Sequence, residues 1–365
     1  NITILLGFLV CYSKRDQDAV DRILDDMIHD DVFGPHFPYF QTAAGIDRKA
    51  LPRFLRSLDS GIAPIGSYFQ LGLGRAHEGF TDDELIVLLQ RIEREVGGNE
   101  VVSDILKMRL SGVTLGNVSA ELLKFTRDFL IHIPLKRHQR ADGLHDHDLK
   151  IILRHALTGS GGEEVARKFS KRLTQTQWVY HFRLMVFAQS LSIIAEKQPF
   201  AFLDEFIANL SSGKERHLPV FSSWFSHRDN PILSLCEDAV IEWCGQDPGA
   251  RVEQIAREMV FFEKRKGGEN YSLEWRRVFD RLLKIAPNRD AYLNVVADTL
   301  RPKSWSGDRS DVLKTRKALV KKMEQHRDPD VQLWGRKLCS DLDQEIYMEM
   351  EQERERQEAR DERFE

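Results

Sequence analysis

Apolar residues recur along this chain at three- and four-residue spacing, in runs closed by glycine or proline. That pattern leaves little room for anything but helix. In "TDDELIVLLQRIEREV" (81–96), Leu85, Leu88, Leu89 and Ile92 form one stripe, and Gly97 and Gly98 stop the run. Thr81 with Glu84 three residues on makes a capping box, which predicts the helix start. "NEVVSDILKMRL" closes at Gly112, "NVSAELLKFTRDFLIHI" at Pro134, and "DHDLKIILRHAL" at "TGSGG", with "EEVARKFSKRL" beyond it. Helices of about 12 to 18 residues with short links are the ingredients of an all-α array.

The run from Tyr180 to Ala195 is nearly continuous in apolar character and predicts a buried central helix. "NITILLGFLV" at the start is about half the length a membrane span needs. It also lacks the basic flank of a signal peptide, so it reads as a core helix of a chain that is part of something longer. "DDVFGPHFPYFQTAAG" is the weakest stretch, with Gly34, Pro35 and Pro38 interrupting any helix. No segment alternates with period two long enough to argue for a sheet. Three stretches read as soft links: 134–146, 264–272 and 301–310. Trp305, in the last, is expected to pack beneath its loop. The expected organisation is helical repeats over 1–133 and 134–300, a helix-pair unit over 301–348, and a charged helical tail over 349–365.

With 365 residues, 42% hydrophobic and 30% charged, the chain has enough apolar material for a sizeable core and more charge than usual. A formal net charge of -4 argues against general nucleic-acid binding. Cys11, Cys236, Cys244 and Cys339 are scattered without a C-x-x-C pair, which suggests a reducing compartment, the cytoplasm.

Near the end, "HRDPDVQLWGRKL" (326–338) opens on Asp328 and Pro329, a capping residue followed by a residue suited to the first helical position. Val331, Trp334, Leu338, Leu342 and Ile346 then fall on one face. Trp334 is expected to be buried against the helix that begins near Ser310, and Gly335 to admit a close neighbour. "SDVLKTRKALVKKM" supplies the preceding helix, with Val312, Leu319, Val320 and Met323 inward. A second Asp-Pro start at Asp247 and Pro248 lies 81 residues earlier, close to two units of a repeat of about 40 residues. "HRD" occurs both at 227–229 and at 326–328.

"DPDVQLWGRKL" resembles the second helix of a HEAT-type repeat: Asp328, Val331, Gly335 and Arg336 match the family's pattern, and Trp334 is bulky for it. This resemblance implies an irregular α-solenoid of antiparallel helix pairs. The order "WSGDRSDVL", "HRDPDVQLWGRKL", then a charged tail is also similar to the carboxy-terminal end of large bacterial anti-phage defence proteins. In those proteins a helical-repeat sensor follows a STAND-type NTPase. That resemblance implies a partner-sensing role, with nucleotide chemistry outside this sequence.

Catalytic signatures are absent from the sequence. "TGSGGEEVA" lacks the lysine of a phosphate-binding loop, and there is no H-E-x-x-H. His145 and His147 in "HDHD" are the weak candidates for a metal, but two residues apart they do not share a helix face. Asp146 or Asp148 is expected to cap the helix there. The expectation is therefore a non-catalytic module that needs no cofactor and binds a protein, either an invader's protein or another domain of the same chain. Arg137, His138, Arg140, Lys303, Trp305 and Arg309 are the candidate contacts. The alternatives are a scaffold or oligomerisation solenoid, and a metal-dependent enzyme built around 132–155.

Overall fold

The computed structural model describes residues 2–135, 144–177, 184–209, 221, 230–267, 270–303 and 305–364. They fall into two compact units, 1–198 and 199–365. Among the described residues the fold is helical apart from one two-stranded hairpin.

In the first unit, α1 (Ile2–Ser13), α2 (Gln17–Met27), α3 (Phe37–Ala44) and α4 (Ala50–Ser60) precede two 3-10 segments, Ile65–Leu71 and Leu73–Gly79. Then come α5 (Asp82–Glu93), α6 (Gly98–Leu110), α7 (Ala120–His132), α8 (Leu144–Ala156), α9 (Gly162–Gln177) and α10 (Ala188–Lys197). Helix α5 packs on α7 and α7 on α9, while α6 packs on α8 and α8 on α10. The predicted capping box at Thr81 and Glu84 is present, and Leu85, Leu88, Leu89 and Ile92 are all buried. The α5–α6 turn depends on Gly98: a Cβ there would lie 1.8 Å from the Ile92 carbonyl oxygen.

Three expectations fail in this unit. Helix α1 is not a core helix: only Leu9 is buried, and Ile2, Ile4, Phe8 and Val10 are exposed. The segment with Gly34, Pro35 and Pro38 is not a helix break. Both prolines sit in the first turn of a helical segment, Gly34–His36 and then α3, where a missing N–H costs nothing. The long helix expected from Tyr180 begins only at Ala188 after a 3-10 turn, Leu184–Phe187, and residues 180–183 lie outside the described residues. The residues that would show a cap on α8 lie outside the described residues; the side chain of Asp146 is seen reaching another helix. It reaches α10 and accepts from the backbone N–H groups of Gln189 (2.8 Å) and Ser190 (2.9 Å) and from Ser190 Oγ (2.6 Å). Asp148 pairs with Lys107 at 3.0 Å.

A buried ion network ties α4 to α2. Arg53 donates from Nε to Asp25 (3.0 Å) and from Nη2 to the Asp21 carbonyl (3.1 Å), and its Nη1 lies 3.0 Å from the Asp21 carboxylate. Lys49 and Arg56 complete it on Asp21 and Asp25. A buried cation is tolerated only when paired in this way.

The second unit holds α11 (Pro199–Phe202), which continues as a π-helical segment, Leu203–Ala208, then α12 (Glu237–Gln246) and α13 (Pro248–Glu258). The hairpin strands β1 (Phe262–Gly267) and β2 (Asn270–Trp275) follow, then α14 (Val278–Ile285), α15 (Arg289–Thr299), α16 (Arg309–Lys321) and α17 (Pro329–Phe364). Helix α12 packs on α14, and α13 on α15. The side chains of Asp247, Asn288 and Asp328, 41 and 40 residues apart, accept from the first-turn amides of α13, α15 and α17. Side-chain ties bridge similar intervals: Trp243 Nε1 donates to Asp204 (2.7 Å), Arg276 to Glu237 (3.1 Å), and Arg289 to Asp328. The "HRD" at 227–229 lies outside the described residues.

The 264–272 link is instead an antiparallel hairpin in the register Phe262↔Trp275 to Gly267↔Asn270. Phe262, Leu273 and Trp275 sit on one face and pack against the core formed with α16 and α17. Trp275 Nε1 donates to the Leu319 carbonyl (3.0 Å), and the Arg316 guanidinium lies 3.9 Å over the Phe262 ring.

On α17, Val331, Leu338, Leu342 and Ile346 are buried as the stripe predicts, and Gly335 brings Met323 within 3.1 Å of where a Cβ would be. Trp334 packs, as expected, against the core that α16 helps form, but α16 is not its sole neighbour. It is half-buried, and its ring stacks on Phe279 (6.0 Å between centroids) and meets Trp275 edge-on (6.3 Å). The hairpin and α14, rather than α16 alone, supply its neighbours.

Candidate functional site

The loop from Leu300 to Arg309 connects α15 to α16, and α17 fastens it from one side. Glu345, Glu349 and Glu353 recur every four residues, so they form one row along that helix. Glu345 accepts from Arg301 (2.6 Å), Glu349 accepts from Arg309, and Glu353 accepts from the Ser310 backbone N–H (3.0 Å). Burial alone would raise the Glu353 carboxyl, but donation from Ser310 and from the Arg309 backbone holds it below its ordinary value. The first part of the charged tail is therefore a set of anchors rather than a wholly solvated extension. Beyond it, Arg354 pairs with Glu351 and Glu358 along the helix.

Trp305 does not pack beneath its loop. It is 47% exposed, and the Arg309 guanidinium lies 5.4 Å from its ring centroid, within cation–π reach. Elsewhere on α17, off the row of glutamates, Tyr347 (67%), Met348 (61%) and Met350 are exposed. Lys303 is exposed on the same loop. Aromatic, methionine and arginine side chains are the types enriched at the centres of protein interfaces.

Of the sequence-predicted contacts, the structure brings Trp305 and Arg309 together and keeps Lys303 on the same loop. Arg137, His138 and Arg140 lie outside the described residues, as does the side chain of His145. His147 is exposed on α8. No group of three or more His, Cys, Asp or Glu residues with metal-ligand geometry occurs among the described residues. Sequence reasoning missed Tyr347, Met348 and Met350. A signal was available: they are apolar residues off the stripe that runs from Val331 to Ile346, on a helix whose core face that stripe already fills.

The thiols of Cys244 and Cys339 are buried, and burial pushes them up to about 12 and about 11, so neither is a ready nucleophile. Among the described residues no helix is long and apolar enough to cross a membrane. Protein-family models, curated proteins and solved structures gave no match to this chain.

Proposed function

We propose that this chain is a non-catalytic helical-repeat binding module that recognises a protein partner through the Trp305 loop and exposed side chains of α17. The observation that carries the reading is the exposed Trp305 with Arg309 on its face, itself fixed by Glu349. A large, rigid, half-exposed aromatic beside an immobilised arginine binds with little loss of side-chain freedom. Tyr347 and Met348 are further exposed side chains on α17.

The helix pairs are read as an irregular HEAT-like solenoid. The alternating packing of α5 on α7 on α9 and of α6 on α8 on α10 supports it, as do the caps of α13, α15 and α17 at near-regular intervals. Stacked pairs offer a long binding surface and need no catalytic pocket. By its resemblance to defence proteins, the module senses its partner for a STAND-type NTPase elsewhere in the same parent protein, and binding shifts that switch. The test compares the parent protein with Trp305→Ala and Tyr347→Ala variants in a phage challenge and in partner capture. Loss of both protection and capture, at unchanged melting temperature, supports the reading. Full protection by the double variant, or nucleotide turnover by this chain alone, overturns it.

A second reading, a scaffold that self-associates, is favoured by the exposed apolar side of α1, where Ile4 is 71% exposed. Light scattering across a concentration series distinguishes the two. A stable oligomer that Ile4→Glu and Phe8→Glu dissolve would favour the scaffold.

A further inference from the structure

The first unit contains a cavity of about 400 Å³ between α8 and the turn that follows α6. Its charged lining has one sign. His147, Lys150 and Arg154 stand at i, i+3 and i+7 on α8, so they share a face, and among the described residues no aspartate or glutamate lines the space. No carboxylate among the described residues pairs with Lys150 or Arg154. The Lys150 ammonium has only a long donation to Gln189 Oε1, at 3.4 Å. The nearby acids are already engaged, Asp148 with Lys107 and Asp146 with α10. Cations left without partners around a concave space favour an anion there.

A second observation points to a ligand. His155 lines the same cavity, is only 6% exposed, and carries a buried Nδ1 with no hydrogen-bond partner among the described residues. A buried ring nitrogen without a partner is costly in a finished core. The remaining wall is apolar, with Leu115 and Ile151 facing the space alongside the backbone turn at 111–113. The volume falls within the range of small-molecule sites, and an apolar wall with a few convergent polar groups is their usual composition.

The geometry points to a binding site for a small phosphomonoester, its phosphate held by Lys150 and Arg154 with His147 at the rim, and its apolar body lying against Leu115 and Ile151 over His155. A dianion suits the two cations Lys150 and Arg154, and an arginine fork offers paired donors to phosphate oxygens. This arrangement also disfavours a metal cation at His147, because Lys150 and Arg154 share its face. The site is independent of the Trp305 surface, and either can fail without the other.

The test is calorimetry and thermal melting of the full chain with phenyl phosphate, inorganic phosphate and phenol as probes. Phenyl phosphate is expected to bind one-to-one and raise the melting temperature, inorganic phosphate to bind about tenfold more weakly, and phenol not to bind. Lys150→Ala and Arg154→Ala are each expected to weaken phenyl phosphate about tenfold while the unliganded protein melts as before. The His155 ring resonances are expected to move on titration. No saturable binding of phenyl phosphate at up to ~10 mM, or undiminished binding by the double variant, overturns the site. Equal affinity for inorganic phosphate and phenyl phosphate overturns the apolar half of the assignment.

Discussion

Arg309 and Glu349 form an ion pair across the start of α16 and the middle of α17, with both side chains largely withdrawn from solvent, 21% and 15% exposed. The pair is 40 residues apart in sequence and fixes the loop that displays Trp305. A helix tail that looks merely solvated in sequence thereby determines the conformation of a surface aromatic.

Glu349→Ala is expected to cost about 1 kcal/mol, between an exposed ion pair and a charged hydrogen bond. The local effect should be larger than the global one. Amide exchange at Ser310, whose N–H donates to Glu353, should quicken in Glu349→Ala and in Glu353→Gln. Unchanged exchange at Ser310 in both variants would mean that the row of glutamates does not hold the loop.

Trp334→Ala and Phe279→Ala should separate clearly. Phe279 is 1% exposed and meets Trp275, Tyr292 and Trp334, so its removal should cost about 3–5 kcal/mol. Trp334 is half-buried, and about 2 kcal/mol is expected. Denaturant melts measure both, and a larger loss for Trp334 would mean that it is the keystone of this cluster.

Two glycines should respond with opposite sign. Gly98→Ala places a methyl against the Ile92 carbonyl and should cost at least about 3 kcal/mol. Gly245→Ala, inside α12 with nothing within 4 Å of the added carbon, should stabilise by about 0.4–1 kcal/mol. Thermal melts of the two variants check both signs.

Acid should weaken the first unit before its carboxylates titrate. Burial holds His77 and His155 below the ordinary histidine value of 6.5, with only partial offset from backbone hydrogen bonds to Leu71 and Leu110. Protonation is then easier in the unfolded chain. The stability tied to neutral histidine is complete above 6.5 and is lost as pH falls through the lowered folded values. Melting temperature against pH should therefore decline below 6.5, and less steeply in His77→Gln. Bound phenyl phosphate should flatten the part due to His155. Identical profiles for the parent and His77→Gln would remove His77 from this account.

The local features were legible in the sequence because their causes are local. Thr81 with Glu84, Asp247 with Pro248, and Asp328 with Pro329 start helices through groups within a few residues of one another. Leu85 to Ile92 and Val331 to Ile346 choose their buried faces by spacing alone. The candidate site was half legible: Trp305 and Arg309 stood out by residue type, but their exposure and their anchoring did not.

Tertiary structure decided what depends on distant partners. Asp146 ties α8 to α10 because two amides and a hydroxyl there lie within reach. The hairpin at 262–275 has alternation too short and too charged to stand out, and it gains its apolar face only against α16 and α17. Trp334 turns to Phe279 and Trp275, and Trp305 stays in solvent, because burial of an aromatic depends on whether another layer arrives to cover it. The spacing of apolar residues says which side of a helix seeks cover. It does not say whether cover exists, which is why α1 carries a core-like sequence and yet buries only Leu9.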